Sequence, residues 1–230
     1  MRAMILAAGL GTRMRPLTLT TPKPLLTLGG RSLIEYQIEN LLRAGVTKIV
    51  INHAWLGEQI EAKLGDGSDF GAEIVYSPED EPLETAGGVR KALPWLASEG
   101  DAPFLLVNGD VFTDADYSSL NVNLSNDKLA RLWLVPNPQW HIEGDFHLRV
   151  DGTLSPDSGL RFTFARISLL RPSLFTHLPL NEPHPLAPVL RKIIQQGAAE
   201  GAILPGYWND IGTPERLAQV EEHLSKRNLV

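Results

Sequence analysis

Near its start the chain reads Met4-Ile5-Leu6-Ala7-Ala8-Gly9-Leu10-Gly11-Thr12-Arg13-Met14-Arg15-Pro16, followed at a short distance by Thr21-Pro22-Lys23-Pro24-Leu25. The apolar run predicts a buried β-strand, and the Gly-x-Gly pair predicts a tight turn at its end. Glycines in such a turn let backbone N–H groups approach an anion, and Arg13 and Lys23 add positive charge beside it. The stretch therefore predicts a phosphate-binding loop after the first strand of a sheet.

Two common phosphate-binding motifs are excluded by the same residues. A dinucleotide fingerprint requires a third glycine where this chain has Met14. A P-loop requires Gly-Lys followed by Ser or Thr, which the loop lacks. The loop is thus a candidate anion site of another kind, or an ordinary turn between a strand and a helix.

The composition narrows the class of protein. The chain has 230 residues, of which 43% are hydrophobic and 21% charged, as in ordinary soluble globular proteins. The net charge is −6 with no basic run, which argues against nucleic-acid binding. There is no cysteine, so disulfides and thiol chemistry are excluded. No apolar stretch approaches the roughly 20 residues that span a membrane. We expect a cytoplasmic protein that binds neither nucleic acid nor a membrane.

Predicted strands and helices alternate in the first half of the chain. Apolar runs predict strands at residues 2–8, 47–51, 72–76 and 104–107. Helices are predicted to begin at Ser32, where Ser32-x-x-Glu35 is a capping box, at about Leu56, and after Gly88. Gly45 stands where a glycine is expected to end the first of these helices. This alternation indicates βαβ units and a mainly parallel sheet.

The alternation of predicted strands and helices ends after about residue 128, where several strands follow one another. Strands are predicted at residues 132–135, 146–150 and 162–170, with a hairpin turn at Asp151-Gly152, and they are expected to be antiparallel additions to the sheet. Helices are predicted at residues 186–196 and from Pro214 onward, with Thr213 as the N-cap of the last helix. No linker interrupts the chain, so we expect a single domain covering residues 1–230.

Two carboxylates follow apolar runs far apart in the sequence. Asp110 follows the predicted strand at 104–107, and Asp210 precedes the last helix. Ligands of open α/β sheets bind at the carboxyl ends of the strands, and Mg²⁺ prefers oxygen ligands shared with substrate phosphates. Asp110 is therefore a candidate Mg²⁺ ligand. On the residues alone, each aspartate is also compatible with a plain turn or cap.

The residues 6–18 and 21–25 together resemble the signature of the sugar-1-phosphate nucleotidylyltransferases, and the resemblance extends from residue 2 to about residue 220. It implies a Rossmann-like three-layer α/β/α nucleotidyltransferase fold with a mixed, mainly parallel sheet. It also implies transfer of a nucleotidyl group from a nucleoside triphosphate to a sugar 1-phosphate. Residues that match the family's nucleotide-binding positions are Ala8, Gly9, Gly11, Thr12, Arg13, Lys23, Glu84 and Gly87.

The resemblance implies further roles in catalysis and sugar binding. Arg13, Lys23, Asp110 and Asp210 match the catalytic positions, and the two aspartates match the ligands of Mg²⁺. The positions expected to contact the sugar are Asn108, Gly144, Asp145 and Arg166.

Two charged residues depart from the family pattern. Glu84 stands at the first glycine of the family's base-binding loop, where the following Thr85 is alternatively a helix N-cap. Arg166 stands at a glycine near the sugar. Two alternatives stay open for Arg166: pairing with a carboxylate of the substrate, or pointing elsewhere.

Parts of the sequence, including Asn52-His53-Ala54-Trp55 and Pro82-Leu83-Glu84-Thr85, resemble the branch that transfers uridylate from UTP to N-acetylmuramic acid 1-phosphate in cell-wall sugar recycling. The alternatives are sister enzymes for another base or sugar, such as mannose-1-phosphate guanylyltransferases, glucose-1-phosphate thymidylyltransferases or phosphocholine cytidylyltransferases. A non-catalytic sensor of nucleotides or sugar phosphates is an alternative from another class, although it would be expected to lack one or more of the four catalytic residues.

Overall fold

Strands form at the apolar runs that predict them, and short additional strands lie between them. The computed structural model describes residues 1–227. In this part the strands are β1 (Arg2–Leu6), β2 (Thr27–Leu28), β3 (Arg31–Ser32), β4 (Lys48–His53), β5 (Glu73–Pro78), β6 (Phe104–Asn108), β7 (Val111–Thr113), β8 (Ala130–Val135), β9 (Phe146–Leu148), β10 (Leu154–Ser155), β11 (Leu160–Leu170), β12 (Ala199–Ile203) and β13 (Trp208–Asp210). The α-helices are α1 (Leu33–Arg43), α2 (Gly57–Leu64), α3 (Glu84–Leu96), α4 (Leu186–Gln195) and α5 (Pro214–Lys226).

Local signals set the ends of two predicted helices. α1 follows Ser32, whose backbone N–H and hydroxyl both donate to Oε2 of Glu35 at 2.6 Å. It is closed by Gly45, which has a φ of 74° and donates its N–H to the last turn. At the start of α5, Oγ1 of Thr213 accepts from the N–H of Arg216 at 3.4 Å. The capping box, the C-terminal glycine and the threonine cap are therefore confirmed.

The start of α3 corrects the prediction. The sequence predicts this helix after Gly88, but it begins at Glu84. The N–H groups of Ala86 and Gly87 donate to the carbonyl of His184 at 2.8 and 3.2 Å. These hydrogen bonds satisfy donors of the first turn that have no partner within the helix. A contact remote in sequence thus starts the helix earlier than any local signal indicates.

One compact unit, called the terminal unit below, consists of Arg2–Pro82, Val107–Leu120 and the described part of Tyr207–Val230. In it β4 lies between β1 and β5 and is parallel to both. Leu6 is in register with Asn52, so the carboxyl ends of these strands lie at one edge. β7 and β13 form an antiparallel pair, as do β2 and β3.

Buried apolar side chains fix the elements of the terminal unit. Those from β1, β4 and α1 are Met4, Ile5, Ile34, Ile38, Leu41, Val50 and Ile51. A cluster that includes α5 and the segment after β1 contains Met14, Leu26, Leu28, Leu33, Phe112, Ile211, Val220 and Leu224. The loop after the first strand and the last helix are thus held by the same cluster.

The other compact unit, called the middle unit, consists of Met1, Leu83–Leu106 and Asn121–Gly206. Its longest strand, β11, is antiparallel to β8 and to β9, and β9 is antiparallel to β10. The predicted antiparallel additions and the hairpin at Asp151-Gly152 are therefore confirmed. The sequence patterns do not predict β12, which is parallel to β8.

The prediction of an α/β fold with a mixed, mainly parallel sheet is confirmed. The expectation of a single domain stays a prediction. Among residues 1–227, no helix is both long enough and apolar enough to cross a membrane.

Candidate functional site

The loop after β1 is tightly packed at its second glycine. Gly11 has a φ of 62°, and a Cβ atom at this position would lie 2.9 Å from Cγ2 of Thr18 and 3.2 Å from Cβ of Lys23. The hydroxyl of Thr18 donates to the carbonyl of Gly11 at 2.7 Å. Gly9, in contrast, has no atom within 4 Å of such a Cβ. Gly11 is therefore required by the fold of the loop, whereas Gly9 leaves open space beside the backbone.

A buried amide orients the chain where it enters this loop. The N–H of Ala7 donates to Oδ1 of Asn52 at 3.0 Å, and Nδ2 of Asn52 donates to Oε1 of Glu79 at 2.7 Å. Asn52 and Glu79 are only 2% and 5% exposed. The three residues lie at or just beyond the carboxyl ends of β1, β4 and β5, so this network ties the strand ends beneath the loop. Sequence reasoning missed Asn52 and Glu79, although polar residues at strand ends were the signal that identified Asp110.

Lys23 and Asp110 form an ion pair between Nζ and Oδ2, with side chains 10% and 31% exposed. Asp110 lies in the turn between β6 and β7, directly after Gly109. The N–H of Gly109 donates to the carbonyl of Leu6 at 2.9 Å, and a Cβ there would lie 3.0 Å from the same oxygen. The turn therefore lies against the end of β1, and the lysine contacts it from the segment that follows the loop. Asn108, the predicted sugar contact, is the last residue of β6.

The second candidate metal ligand lies beside the first. Asp210 ends β13 and is in register with Val111 of β7. The N–H of Ile211 donates to the carbonyl of Asp110 at 2.9 Å. The structure thus brings together the backbones of the two aspartate motifs, as the family resemblance implies.

A second arginine, which no sequence motif singles out, contacts this region. Nη1 of Arg216 donates to the carboxylate Oδ1 of Asp210 and to its carbonyl oxygen, the latter at 3.1 Å. A Cβ placed on Gly212 would lie 3.1 Å from Nη1 of Arg216 and 3.5 Å from both terminal nitrogens of Arg13. Two guanidinium groups therefore converge on one glycine next to a candidate metal ligand.

In the middle unit, Asp145 closes the turn that is predicted to contact the sugar. Its N–H donates to the carbonyl of Phe162 at 2.7 Å, and its Oδ2 accepts from the N–H of Phe164 at 2.8 Å. His141 contacts its Oδ1 at 3.1 Å. Gly144 has a φ of 62°. The turn is thus bonded to the outer part of β11, and the carboxylate of Asp145 has a structural role within it.

Both charged residues that depart from the family pattern have left-handed backbone conformations. Glu84 has a φ of 56° and Arg166 a φ of 61°. Arg166 is exposed between buried Ala165 and Ile167, where the register of β11 with β8 shifts. Its guanidinium carbon lies 5.8 Å from the ring centre of Phe164. Arg166 therefore projects from a bulge, next to the residue that anchors Asp145.

Gly87 has a structural reason to be glycine. It lies inside α3, where a Cβ would be 2.5 Å from the carbonyl oxygen of Glu182. The backbone that approaches Gly87 this closely is that of Glu182, in the same chain. Thr85 lies within the first turn of α3, so its interpretation as the N-cap is wrong; the cap position is Leu83.

The terminal-unit residues form a set suited to bind anionic phosphates. Arg13, Lys23 and Arg216 are cations, and Asp110 and Asp210 supply carboxylate oxygens. Within residues 1–227, no group of three or more His, Cys, Asp or Glu side chains is arranged to hold a metal ion. A pair of carboxylates fits Mg²⁺ nonetheless, because this ion is usually bound by one or two carboxylates together with substrate phosphates and water.

Comparison with known proteins gives the following matches. Residues 2–137 match the family described as Nucleotidyl transferase. The chain is 48% identical over 231 residues to N-acetylmuramate alpha-1-phosphate uridylyltransferase of Neisseria meningitidis serogroup B, covering 96% of this chain and 97% of that protein. It is 31% identical over 232 residues to the mannose-1-phosphate guanyltransferase of Emericella nidulans, covering 94% of this chain and 62% of that protein.

Two solved structures share the fold. One is a putative glucose-1-phosphate thymidylyltransferase from Bacillus anthracis in complex with a sucrose, with a TM-score of 0.84, 19% identity, and coverage of 97% of this chain and 95% of that chain. The other is HddC from Yersinia pseudotuberculosis complexed with GMP-PN, with a TM-score of 0.75, 21% identity, and coverage of 97% and 99%. The Rossmann-like α/β nucleotidyltransferase fold expected from the sequence is therefore confirmed.

Proposed function

The chain belongs to the nucleotidyl transferase family, and we propose that it transfers the uridylyl group of UTP to N-acetylmuramic acid 1-phosphate. The products are the UDP-sugar and pyrophosphate. The 48% identity to a uridylyltransferase over nearly the full length of both proteins supports this choice of nucleotide and sugar. We place the reaction in the cytoplasm, as a step in the recycling of cell-wall sugars.

The observation that carries the proposal is the arrangement of Lys23, Asp110 and Asp210. The lysine pairs with the first aspartate, and the backbone beyond the second aspartate is hydrogen-bonded to the first. Asp110 follows β6 and Asp210 ends β13, and Gly109 is bonded to the end of β1, from which the glycine loop begins. Cations and carboxylates are thus gathered beside a loop whose backbone can receive a triphosphate.

In the reaction, a phosphate oxygen of the sugar 1-phosphate attacks the α-phosphorus of UTP. The bond from the α-phosphorus to the oxygen that bridges it to the β-phosphorus breaks, and that oxygen leaves as part of pyrophosphate. The attacking oxygen is already ionised at neutral pH, so the mechanism requires no general base. The main barrier is repulsion between two anions, which fixed positive charges reduce.

Each candidate site residue of the terminal unit is assigned a role in this scheme. The N–H groups from Ala8 to Thr12 bind the triphosphate, and Arg13 adds charge beside them. Lys23 binds a phosphate oxygen of the reacting pair, and Asp110 and Asp210 hold Mg²⁺. The bound Mg²⁺ would stabilise negative charge on the phosphates and orient them for in-line attack.

The contacts proposed for the sugar and the base are those that the family resemblance implies, and they include Asn108. Asp145 and Gly144 form the turn for the sugar, and Glu84 and Gly87 lie at the start of the helix proposed to face the base. Arg166 is proposed to bind the lactyl carboxylate that distinguishes N-acetylmuramic acid from N-acetylglucosamine. An exposed guanidinium stacked near an aromatic ring is suited to bind a carboxylate through two parallel hydrogen bonds.

The direct test is pyrophosphate release with UTP and N-acetylmuramic acid 1-phosphate, compared with N-acetylglucosamine 1-phosphate. We expect faster turnover with the muramic substrate. Equal rates would contradict the proposed sugar, and no release with either would contradict uridylyl transfer to this class of sugar.

A second candidate is mannose-1-phosphate guanylyl transfer, which the 31% identity to the Emericella nidulans protein favours. Repeating the assay with GTP and mannose 1-phosphate separates the two. A higher kcat/KM with that pair than with UTP and the muramic substrate would replace the first proposal by the second.

A further inference from the structure

Arg216 contacts one candidate metal ligand twice. Its Nη1 donates to the carbonyl oxygen of Asp210 at 3.1 Å and also to the carboxylate Oδ1 of the same residue. The two side chains are 14% and 29% exposed. Because one donor atom bonds both the backbone and the side chain of Asp210, it restricts the rotation of the carboxylate about χ1.

The start of α5 holds Arg216 in this position. Oγ1 of Thr213 accepts from its backbone N–H, and the helix begins at Pro214. A cation in the first turn faces the positive end of the helix dipole, which is unfavourable for the helix itself. Stability of α5 therefore does not explain why an arginine stands here, whereas the contact with Asp210 does.

Two guanidinium groups lie beside Gly212, next to Asp210. The guanidinium groups of Arg13 and Arg216 both lie within 3.5 Å of the place that a Cβ on Gly212 would occupy. Two cations so close together repel each other, and an anion between them reduces that repulsion. Asp210 supplies one such charge, and the triphosphate bound by Arg13 would supply more.

We propose that Arg216 is a positioning residue, which orients the carboxylate of Asp210 to bind the divalent cation. This inference rests on the proposed function, because it takes Asp210 to be a metal ligand. A planar guanidinium bonded to both the carbonyl and the carboxylate of Asp210 fixes the orientation of that carboxylate, whereas the point charge of a lysine does not. In this proposal Arg216 acts on the metal by orienting Asp210, and any contact of Arg216 with the phosphates is a separate effect that the test below measures by itself.

The test measures metal binding without turnover. Mn²⁺ is titrated by electron paramagnetic resonance into the full chain in the presence of a non-hydrolysable UTP analogue. For Arg216→Gln we expect Mn²⁺ affinity to fall about tenfold, the usual effect of removing a residue that orients a ligand. Arg216→Lys is expected to recover part of the loss. The matched control is Lys226→Gln, which removes a charge from the same helix at an exposed position paired with Glu222.

A double-mutant cycle separates orientation of Asp210 from direct binding of the nucleotide by Arg216. If Arg216 acts through Asp210, Arg216→Gln causes no further loss of Mn²⁺ affinity when Asp210→Asn is already present. The inference is overturned if the loss is the same in both backgrounds, or if the analogue alone binds Arg216→Gln tenfold more weakly without metal. It is also overturned if Mn²⁺ affinity is unchanged in both Arg216 variants. If Asp210→Asn by itself leaves Mn²⁺ affinity unchanged, the assignment of Asp210 as a ligand fails and removes the basis of the inference.

Discussion

Glu84 and Arg166 have φ angles of 56° and 61°, a region that costs a residue with a side chain roughly 1–2 kcal/mol. A glycine at either position would adopt the same backbone more easily. Such strain persists where the side chain has a use that compensates for it. At the residue scale, these two positions are therefore the places where we expect stability and substrate selection to conflict.

Arg166→Gly is expected to raise the free energy of unfolding, by up to about 1 kcal/mol, because relief of the strained φ exceeds the added flexibility of the unfolded chain. The same variant is expected to lose about tenfold or more in kcat/KM with N-acetylmuramic acid 1-phosphate, and little with the N-acetylglucosamine analogue. Urea unfolding and pyrophosphate release measure the two effects. The control is Arg161→Gly, an exposed arginine on the same strand, which is expected to lower stability. Equal losses of kcat/KM with both sugar phosphates would show that Arg166 does not bind the lactyl carboxylate.

Lys23→Ala is expected to lower kcat by at least about a hundredfold, because a fixed positive charge next to the reacting phosphates is lost. Circular dichroism should show an unchanged fold. Asp110→Asn should reduce turnover comparably while it keeps the shape of the side chain. Near-normal pyrophosphate release by either variant would show that the assigned roles are wrong.

At the scale of the element, the capping box of α1 gives the stability a pH dependence. Burial raises the pKa of Glu35, but hydrogen bonds from Ser32 and the charge of Lys63 outweigh it, so the pKa of this carboxyl lies below its ordinary value of 4.5. Because the folded-state pKa is lowered, Glu35 stabilises the folded protein at pH values above its ordinary pKa. This stabilisation is lost as the pH falls through the folded-state pKa.

Glu35→Gln should therefore destabilise the protein by about 1 kcal/mol at pH 7, in the range of lost helix caps, and by less in acid. Urea unfolding at pH 7 and near pH 3.5 measures the difference. Glu58→Gln, an exposed acid in the first turn of α2, is the matched control. A loss for Glu35→Gln that is the same at both pH values would contradict this account.

The packing of α3 predicts opposite results for two glycines. Gly87→Ala places a methyl group 2.5 Å from the carbonyl of Glu182, a backbone atom, and should destabilise the protein by roughly 1–3 kcal/mol. Gly9→Ala meets no atom within 4 Å and should leave stability nearly unchanged, while it weakens UTP binding by crowding the loop. Thermal unfolding and a UTP titration test the pair. Unchanged stability of Gly87→Ala would show that the backbone at Glu182 moves away from the added methyl group at little cost in free energy.

At the scale of the whole molecule, the terminal unit is assembled from three separate stretches of chain. Each stretch supplies part of the candidate site: the glycine loop with Lys23, the turn with Asp110, and the end of β13 with Asp210. A ligand that contacts all three is bound only by the folded unit. Its binding energy therefore adds to the free energy of unfolding.

UTP with Mg²⁺ is expected to stabilise the protein by about 2.7 kcal/mol when the nucleotide is present at a hundred times its Kd. Differential scanning calorimetry should show a raised unfolding temperature, and excess chelator should remove most of the increase. Lys23→Ala should show a smaller increase at the same concentrations. An increase that persists fully in chelator would contradict a metal site shared with the nucleotide.

Local signals in the sequence determined many of the elements, because their partners lie within a few residues. Ser32 and Glu35 cap α1, Gly45 closes it, and Thr213 starts α5 as predicted. The motif around the loop also indicated the family, since its residues are contiguous. The meeting of the two aspartates followed from the family resemblance and not from a local signal, because Asp210 ends a strand that pairs antiparallel with β7 in a separate two-stranded sheet.

Only the tertiary structure decided which groups contact across long sequence separations. The early start of α3 depends on His184, and the entry to the loop depends on Asn52 and Glu79. The contact of Arg216 with Asp210 spans only six residues, but it joins the end of β13 to the first turn of α5 and no sequence pattern indicates it. A side chain's partner is set by where the backbone places both groups, and buried polar groups find partners wherever the packed chain brings them. Sequence patterns therefore indicated the chemistry of this protein, and packing determined the residues that orient it.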